Sequence, residues 1–409
     1  MSGEILFIAH RLPFPPDRGD KIRSHHILKH LASLAPVHVA TFADDEADFA
    51  EEASLASMAA SYCLRRRTKP LPLAALQALA TGRPVSLTAF HDRALADYVA
   101  EVLATRPIVA IYVFSGQMGQ YVPVDFTGRL IVDLVDVDSA KFEAYAAKRS
   151  GPMALVEARE ARRLAAEEAR LAARADVTLL ISSAETELFR SRLPVASPAE
   201  VRVLGNGIDS VGFDPALVSP EPKMTACAGP RLIFTGQMDY APNIDAALRV
   251  IDRVLPRIRA VRPDTSFHVV GRNPTSELLA RHGRDGCHVW GRVEDIRPWL
   301  AAADCALIPL EIGRGVQNKV LEAMSMALPV VLSNEAATGI AAQNGEHFAV
   351  VDNDAALAEA VLAMLDDPAR ARAMGAAARR FVVENASWEA ALAPLAEFVG
   401  GPGRVRHAA

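Results

Sequence analysis

A glycine loop followed by a helix with a lysine and a glutamate is the feature of this sequence best suited to chemistry. Gly313 and Gly315 lie between a predicted buried strand and a predicted helix over Val316–Ala327. The free N–H groups and the positive dipole end at a helix N-terminus favour a phosphate group. At about 100° of rotation per residue, Lys319 and Glu322 share a helical face with Gly315. This face therefore offers a cation to a diphosphate and a carboxylate to ribose hydroxyls.

The same two charged residues permit a simpler interpretation. Lys319 and Glu322 are three residues apart, and pairs at this spacing are common on helix surfaces. The apolar positions of the helix form a stripe that is predicted to pack against a sheet: Val316, Val320, Ala323 and Ala327. Both interpretations of the charged pair remain open from the residues alone.

Two further groups in the first half follow predicted strands, where the catalytic groups of α/β proteins collect. His10 comes directly after the first strand, and Asp133, Asp136 and Asp138 end a later one. The aspartates offer hard oxygen ligands to a divalent cation. Alternatively, Asp138 and Ser139 cap the following helix. We favour the cap for Asp138 and an active-site position for Asp136.

Short apolar runs alternate with helical stretches along most of the chain, which predicts βαβ units and parallel sheets. The proline-rich segment 210–230 interrupts this alternation and is predicted to be a linker. The expected architecture is α/β, with two doubly wound Rossmann-like domains that face each other across a cleft. The predicted domains cover residues 1–209 and 231–386.

The amino-acid composition excludes some classes of function and indicates a cellular location. The 409 residues carry a formal net charge of −5, which argues against a nucleic-acid partner. The four cysteines are far apart and lack metal-ligand spacing, which is typical of a reducing compartment. Glu4 precedes a short apolar run, which favours a first core strand over a signal peptide. The expected location is therefore cytoplasmic.

One cluster of cations is a candidate for contact with the cytoplasmic face of the inner membrane. Arg65, Arg66, Arg67 and Lys69 precede the apolar sequence LPLAAL. Such cations bind anionic lipid headgroups when they lie near a membrane surface. A solvated loop explains the cluster equally well.

Several segments in order give the second half a family resemblance. It resembles the GT-B glycosyltransferases of glycosyltransferase family 4, which use nucleotide diphosphate sugars. The matching segments are IFTGQMDYAPNIDAA (233–247), FHVVGRNP (267–274), VWGRVEDIRPWLAAAD (289–304) and PLEIGRGVQNKVLEAMSMALPVV (309–331). Trp388 resembles the tryptophan of a last helix that returns to the first domain, which implies that residues 387–409 belong there.

A narrower resemblance lies in the first half. PFPPDRGDKIRSHHI (13–27) and VDLVDVDSAKFEAYA (132–146) are similar to sugar transferases of bacterial exopolysaccharide and PEP-CTERM exosortase-associated loci. Asp136 then occupies the place where the family often carries a histidine near the transferred sugar. The loop at Gly19 closes over the donor in this family, whereas a plain turn with a positive φ is the simpler alternative.

The resemblance implies a donor site with the base near Gly291–Val293. The implied donor-binding residues are Gly19, Gly236, Gly291, Arg292, Val293, Gly313, Gly315, Lys319 and Glu322. The catalytic candidates are Asp136, His10 and Arg314.

The sequence departs from the family pattern at the diphosphate. The family has two glutamates with seven residues between them; Glu322 fits the second, but Arg314 stands at the first position. The usual arginine and lysine after the domain's first strand are replaced by Gln237 and, roughly, Asn243. We predict that Arg314 and Lys319 neutralise the diphosphate instead, because leaving-group charge must still be stabilised.

The resulting expectation is a retaining glycosyltransferase of exopolysaccharide or cell-surface polysaccharide synthesis. It takes a nucleotide-sugar donor and a glycan or polyprenyl-linked acceptor, and it requires no metal or other cofactor. One alternative is a nucleotide-sugar epimerase of the same fold. The other is a two-domain solute-binding protein, which requires an export signal and no ribose-binding glutamate.

Overall fold

The protein is described by a computed structural model that covers residues 3–195, 197–313 and 315–401. The chain forms two compact units, Met1–Asn206 with Ala391–Ala409 and Gly207–Ala390. Each unit contains one sheet whose neighbouring strands all pair in parallel. Parallel strands are buried on both faces, which explains their nearly continuous apolar runs.

The first unit contains a seven-stranded sheet with the order β3-β2-β1-β4-β5-β6-β7. Its strands are β1 (Glu4–Ala9), β2 (Val37–Ala43), β3 (Ser61–Arg66), β4 (Ile108–Phe114), β5 (Arg129–Val135), β6 (Val177–Leu180) and β7 (Val201–Val203). Its helices before the crossing to the second unit are α1 (Gly19–Leu34), α2 (Glu46–Ala50), α3 (Glu52–Met58), α4 (Leu71–Thr81), α5 (Val85–Ala89), α6 (Arg93–Thr105), α7 (Asp138–Lys148), α8 (Pro152–Arg174) and α9 (Ser183–Arg192).

The second unit contains a six-stranded sheet with the order β10-β9-β8-β11-β12-β13. Its strands are β8 (Arg231–Thr235), β9 (Ser266–Val270), β10 (Cys287–Gly291), β11 (Cys305–Ile308), β12 (Val330–Leu332) and β13 (Ala349–Val350). The helices from here onward are α10 (Pro222–Thr225), α11 (Ala241–Arg249), α12 (Leu255–Val261), α13 (Ser276–Leu279), α14 (Arg297–Ala301), α15 (Asn318–Ser325), α16 (Asn334–Ala337), α17 (Asp354–Asp366), α18 (Pro368–Asn385), α19 (Trp388–Leu392) and α20 (Leu395–Gly400).

The strand order of the second unit is that of a Rossmann-like fold, in which the order reverses between β8 and β11. Crevices at such a reversal, outside the carboxyl ends of the strands, are where ligands of open α/β sheets bind. In this unit the two strands at the reversal are β8 and β11. The loops at their carboxyl ends are the loop after β8 and the loop before α15.

The segment 210–230, expected as a linker, lies within the second unit. Met224 is fully buried in the core of this unit, on the short helix α10. Pro215 and Pro222 stand at the beginning of a 3₁₀ turn and of α10. Proline suits the first position of a helix because the N–H it lacks has no helical partner there. The prolines thus start local structure in this segment.

The chain re-enters the first unit after Ala390. Helix α20 packs against β5, and Arg129 Nε donates a hydrogen bond of 2.8 Å to the carbonyl of Phe398. Within the described ranges, no helix is both long enough and apolar enough to span a bilayer.

Candidate functional site

A pocket of about 570 Å³ opens at the carboxyl edge of the second unit's sheet, where the strand order reverses. Its walls come from the loops after β8, β9 and β10 and from the start of α15. The lining residues include Thr235, Gly236, Gln237, Asn243, Gly271, Arg272, Arg292, Val293, Ile296, Val316, Gln317, Asn318, Lys319 and Glu322. The pocket therefore combines a polar wall with a few apolar side chains.

Glycines at the ends of three neighbouring strands bring the backbone close together beneath this pocket. Gly236 N donates to Val270 O at 3.1 Å, and Gly271 N donates to Gly291 O at 2.9 Å. A Cβ on Gly271 would lie 1.6 Å from the carbonyl oxygen of Gly236. Gly291 ends β10 with a φ of +70°, which an L side chain rarely adopts. The three loops are thus joined through main-chain atoms. We call Gly236, Gly271 and Gly291 the glycine floor.

Lys319 extends from the first turn of α15 towards the glycine floor. Its Nζ donates to Asn243 Oδ1 at 2.5 Å and lies 4.5 Å from the centroid of the Phe234 ring. Asn243 is buried and donates in turn to Gln237 O at 2.9 Å. Burial lowers the pKa of Lys319 to about 8, although the nearby Glu322 opposes this shift. Lys319 is therefore an oriented cation without a carboxylate hydrogen-bonded to it among the described residues.

Glu322 lies one turn further along α15, beside Lys319 on the wall of the pocket. Burial raises the pKa of its carboxyl group, and the charge of Lys319 partly offsets the rise. Within the described chain, the Glu322 carboxylate makes no hydrogen bond. A half-buried carboxylate with free acceptor capacity suits a ligand that brings hydroxyl donors.

Helix α15 begins two residues later than the sequence predicts, and this changes two assignments. Gly315 has a φ of +67° and Gln317 is extended, so the helix starts at Asn318. Gly315 therefore does not share the helical face of Lys319 and Glu322. Val316 was expected in the buried apolar stripe but is 47% exposed, because it precedes the helix.

The end of this helix also differs from the prediction. Ala327 has a φ of +53° and lies beyond the last helical residue, Ser325. Of the expected stripe, Val320 and Ala323 are buried in the core of the unit.

The glycines of the loop before α15 do not line the pocket. A Cβ on Gly313 would lie 2.0 Å from the carbonyl oxygen of Glu335, so this glycine permits close packing against α16. Gly315 is exposed, and a Cβ there would have no neighbour within 4 Å. Arg314, a catalytic candidate, lies outside the described residues.

Arg272 lines the pocket, although no motif in the sequence singles it out. It follows Gly271 after the end of β9, and its guanidinium donates to the side-chain oxygen of Gln237 when that amide is oriented to accept. Arg292 follows β10 in the same way and is exposed beside Val293. The available signal is a Gly–Arg dipeptide after each strand, at Gly271 and Gly291. Two cations thus stand on the side of the pocket opposite α15.

The remaining candidates lie in the first unit, at the carboxyl edge of its sheet. His10 stacks on Phe114 with 5.8 Å between ring centroids and contacts the edge of Phe90 at 5.9 Å. Its Nε2 lies 3.5 Å from a carboxylate oxygen of Asp20, whereas its Nδ1 is buried without a hydrogen-bond partner among the described residues. His10 is thus fixed in orientation with one ring nitrogen unused.

Gly19 is the first residue of α1, and Arg18 is the N-cap residue. A Cβ on Gly19 would have no heavy atom within 4 Å. Its φ is not in the positive range, so the expected turn conformation does not explain this glycine. Lys21, which flanks it, is buried and donates to Asp48 Oδ1 at 2.5 Å.

The three aspartates after β5 have separate environments. Asp133 is fully buried and accepts from Arg23 Nε at 3.1 Å and from the Tyr112 hydroxyl at 2.8 Å. Asp136 and Asp138 both bind Lys141 Nζ, at 2.8 and 3.2 Å. Asp133 is therefore part of the core, and Asp136 is partly exposed at the strand end.

The predicted helix cap at Asp138 is wrong. Helix α7 begins at Asp138 itself, and its N-cap, Val137, provides no side-chain hydrogen bond. Instead, Glu185 accepts from Val137 N at 2.8 Å, and Glu168 accepts from Ser139 N at 2.9 Å. Carboxylates from other helices thus satisfy the N–H groups of Val137 and Ser139 at the start of α7.

Across the described ranges, no group of three or more histidine, cysteine, aspartate or glutamate side chains is arranged to hold a metal ion.

Comparisons with known proteins bear on the second unit and on the fold. Residues 229–367 match the family model "Glycosyl transferases group 1". Over 214 residues the chain is 29% identical to glycogen synthase from Mycobacterium tuberculosis, covering 50% of this chain and 48% of that protein. Over 241 residues it is 30% identical to a GDP-mannose-dependent monoacylated alpha-(1-6)-phosphatidylinositol monomannoside mannosyltransferase from Corynebacterium glutamicum, covering 52% and 59%. The match thus spans about half the length of these relatives.

The whole chain is similar in structure to the Anabaena protein HepE in complex with UDP and glucose. The TM-score is 0.57 at 14% sequence identity, covering 98% of this chain and 100% of that chain. At this identity the likeness shows the fold, which is GT-B with two Rossmann-like units. The chain therefore has the GT-B fold, and residues 229–367 of its second unit are similar to the glycosyl transferases group 1 family.

Proposed function

We propose that the protein is a retaining glycosyltransferase that uses a nucleotide diphosphate sugar. The observation that carries this proposal is the pairing of Lys319 with Glu322 on one wall of the pocket in the second unit. A cation held by a neutral amide suits a diphosphate, and a free carboxylate one turn away suits ribose hydroxyls. The base then lies at Arg292 and Val293, across the glycine floor.

The chemistry follows from where charge develops. As the glycosidic bond to the donor breaks, negative charge builds on the leaving diphosphate, and preorganised cations stabilise that transition state. We propose that Lys319, Arg272 and Arg314 do this. Asn243 holds the Lys319 ammonium towards Gly236, so little reorganisation is needed when the donor binds.

The substrates are also proposals. The names of the relatives include a GDP-mannose-dependent mannosyltransferase and a glycogen synthase, and the similar solved structure holds UDP and glucose. These names support a nucleotide-sugar donor and a glycan or lipid-linked acceptor. We further propose that the reaction belongs to exopolysaccharide or cell-surface polysaccharide synthesis, in line with the resemblance of residues 13–27 and 132–146.

A donor screen tests the function. The purified protein is incubated with a panel of UDP-, GDP- and ADP-sugars, with and without polyprenyl-linked and glycan acceptors, and released nucleotide is measured. Acceptor-dependent release with retained anomeric configuration is expected. Conversion of the donor to a sugar isomer without an acceptor would instead indicate an epimerase. Tight binding of a free sugar with no turnover would indicate a solute-binding protein.

Glu322→Ala is expected to weaken binding of the donor by about 1.5–3 kcal/mol, because hydrogen bonds to a charged group have about this value. Calorimetry with the NDP and with the corresponding 2′,3′-dideoxy NDP measures the effect. The dideoxy nucleotide should bind the wild type and the variant alike. Glu277→Ala, an exposed glutamate of α13 outside the pocket, is the control. Full NDP affinity in a folded Glu322→Ala protein would contradict the ribose assignment.

Transfer is expected to survive EDTA, because side-chain cations already oppose the leaving diphosphate. In the same assay, Asp136→Ala should impair transfer and leave NDP binding nearly intact, since Asp136 belongs to the first unit. Asp138→Ala is a matched control, because both carboxylates bind Lys141. Loss of activity in EDTA that Mn²⁺ or Mg²⁺ restores would instead indicate that Asp136 and Asp138 are metal ligands. Normal turnover of Asp136→Ala would leave Asp136 a structural residue.

A further inference from the structure

Helix α4 of the first unit exposes an apolar surface that no described residue covers. Its eleven residues, Leu71–Thr81, include no charged side chain. Ala74 and Ala78 form its buried face, whereas Leu71, Leu73, Leu76 and Leu79 are between 48% and 66% exposed. Single exposed leucines are ordinary, but four on one short helix form a contiguous patch.

The start of α8 extends this patch. Met153, Leu155 and Val156 are exposed as well. A groove of about 560 Å³ between α4 and the helices α7 and α8 joins the two, and its lining includes Leu71, Ala75, Phe142, Met153 and Val156. We call these exposed side chains the apolar face: Leu71, Leu73, Leu76, Leu79, Met153, Leu155 and Val156.

Cations surround the apolar face although the whole chain is acidic. Residues 65–83 contain Arg65, Arg66, Arg67, Lys69 and Arg83 and no aspartate or glutamate. Lys148 and Arg149 stand at the end of α7, next to the start of α8. The chain as a whole carries a formal net charge of −5, so this concentration of positive charge is local.

The acidic groups near the groove are already engaged. Glu160 accepts hydrogen bonds from Val85 N at 2.7 Å and from Ser86 N at 2.9 Å, at the start of α5. Glu157 forms an ion pair of 3.0 Å with Arg149. Asp138 also lines the groove, where it forms an ion pair of 3.2 Å with Lys141. Each of the three carboxylates therefore has a partner.

Some of the surrounding cations are paired and others are available. Arg65, Arg66 and Arg67 form ion pairs with Asp92, Glu46 and Asp44. In contrast, Lys69 donates to two backbone carbonyls, each at 2.9 Å. Among the described residues, Arg83 and Lys148 have no carboxylate partner within ion-pair distance. Unneutralised cations thus remain at both ends of the apolar face.

We propose that the apolar face docks the first unit on an anionic lipid bilayer. An apolar surface bordered by lysine and arginine is the arrangement that lies in the plane of a membrane interface, with leucines among the acyl chains and cations at the headgroups. An uncharged apolar protein partner would satisfy the leucines but not the cations. This proposal is independent of the donor site, which belongs to the second unit.

Flotation with lipid vesicles tests the docking. The full chain is mixed with vesicles of phosphatidylcholine alone and of phosphatidylcholine with 30 mol% phosphatidylglycerol. We expect binding to the anionic vesicles, and weaker binding as NaCl is raised towards about 0.5 M, because salt screens the headgroup attraction. The combined Leu76→Glu and Leu79→Glu variant should bind the anionic vesicles at least on the order of tenfold more weakly than the wild type.

Controls separate docking from folding. Leu217→Glu changes a leucine that is 74% exposed in the second unit and should bind vesicles like the wild type. The Arg83→Glu and Lys148→Glu variant should lose the preference for anionic vesicles. Circular dichroism and NDP binding should be unchanged in all of these variants.

Three outcomes would overturn the proposal. The first is no flotation of the folded wild type, and the second is equal flotation with neutral and anionic vesicles. The third is a wild-type dimer by light scattering that the leucine variant converts to a monomer without any loss of vesicle binding. That result would assign the apolar face to a second copy of the chain.

Discussion

Replacing Arg23 with alanine is expected to lower the free energy of unfolding by about 3–5 kcal/mol, the usual cost of removing one partner of a buried ion pair. Arg23 is 1% exposed and its partner Asp133 is 0% exposed. Arg23 also donates to Asn206 Oδ1 at 2.9 Å. Burial raises the pKa of Asp133, and Arg23 opposes the rise. Without Arg23, the carboxyl group must protonate or remain charged without a counter-ion.

Urea unfolding followed by circular dichroism measures this loss. Arg93→Ala is the control, because the Arg93–Asp97 pair is 3.9 Å apart and largely solvated. Such pairs contribute little to stability. Arg23→Met with Asp133→Leu should recover much of the loss, since apolar replacements remove both charges together. A small loss for Arg23→Ala, comparable to that of the control, would show that Asp133 is readily neutralised in the folded state.

Replacing Lys319 with methionine is expected to weaken binding of the NDP-sugar by about 2–5 kcal/mol, the range for removing one member of a desolvated charge pair. Methionine keeps most of the apolar stem over Phe234 and removes the ammonium. Binding of the nucleoside should change little, because it has no phosphate. Calorimetry with the NDP-sugar and the nucleoside gives both values. Equal losses for the two ligands would contradict the diphosphate assignment.

The pH dependence of the same interaction gives a second test. The pKa of Lys319 is lowered to about 8 in the free protein, and a bound diphosphate favours the protonated form. Affinity for the NDP-sugar should therefore be constant below this pKa and weaken above it, approaching about tenfold per pH unit. Lys319→Arg should remove the decline between pH 8 and 9.5, because arginine stays charged.

A matched control isolates the site from general charge effects. Lys223→Met changes an exposed lysine outside the pocket and should leave both affinity and its pH profile unchanged. A wild-type affinity that is flat up to pH 10, together with unchanged affinity in Lys319→Met, would show that Lys319 is not the group that binds the diphosphate.

The sequence predicted the elements of this protein better than their ends. Alternating apolar runs and helical stretches locate the parallel sheets because burial on both faces leaves a long apolar run. The start of α15 was misplaced by two residues, since hydrophobic periodicity does not record that Gly315 adopts a positive φ. That small shift separates Gly315 from Lys319 and exposes Val316.

Long-range partners are the second limit. The capping pattern at Asp138 and Ser139 is a local one, and it could not reveal that Glu185 and Glu168 on other helices accept from Val137 N and Ser139 N at the start of this helix. Asp133 likewise belonged to a motif with catalytic spacing, yet its partner Arg23 is 110 residues away in the chain. A local sequence pattern identifies candidate residues. Only the tertiary contacts show which of them lie in the core and which lie at a site.

The need for tertiary contacts also explains why the roles of Asn243 and Arg272 could not be predicted from the sequence. From the sequence, Asn243 is a missing cation, whereas in the structure its amide orients Lys319. Arg272 follows a strand-end glycine and enters the pocket from the neighbouring strand β9. The positive charge of the candidate site is thus distributed over several strands, which a search for one compact motif does not detect.

The glycine floor has a consequence for any attempt to change which nucleotide sugar the protein takes under the proposed function. Where main-chain atoms form the base of a pocket, substitution has no side chain to exchange, and a new Cβ on Gly271 would push β8 and β9 apart. Substitutions that change donor choice must therefore be made in the side chains around the edge of the pocket. Libraries at Arg292, Val293 and Ile296 change the side that we assign to the base while the strand ends stay in register. A library at Gly271 is expected to yield mostly unfolded protein, because a Cβ there would lie 1.6 Å from the carbonyl oxygen of Gly236.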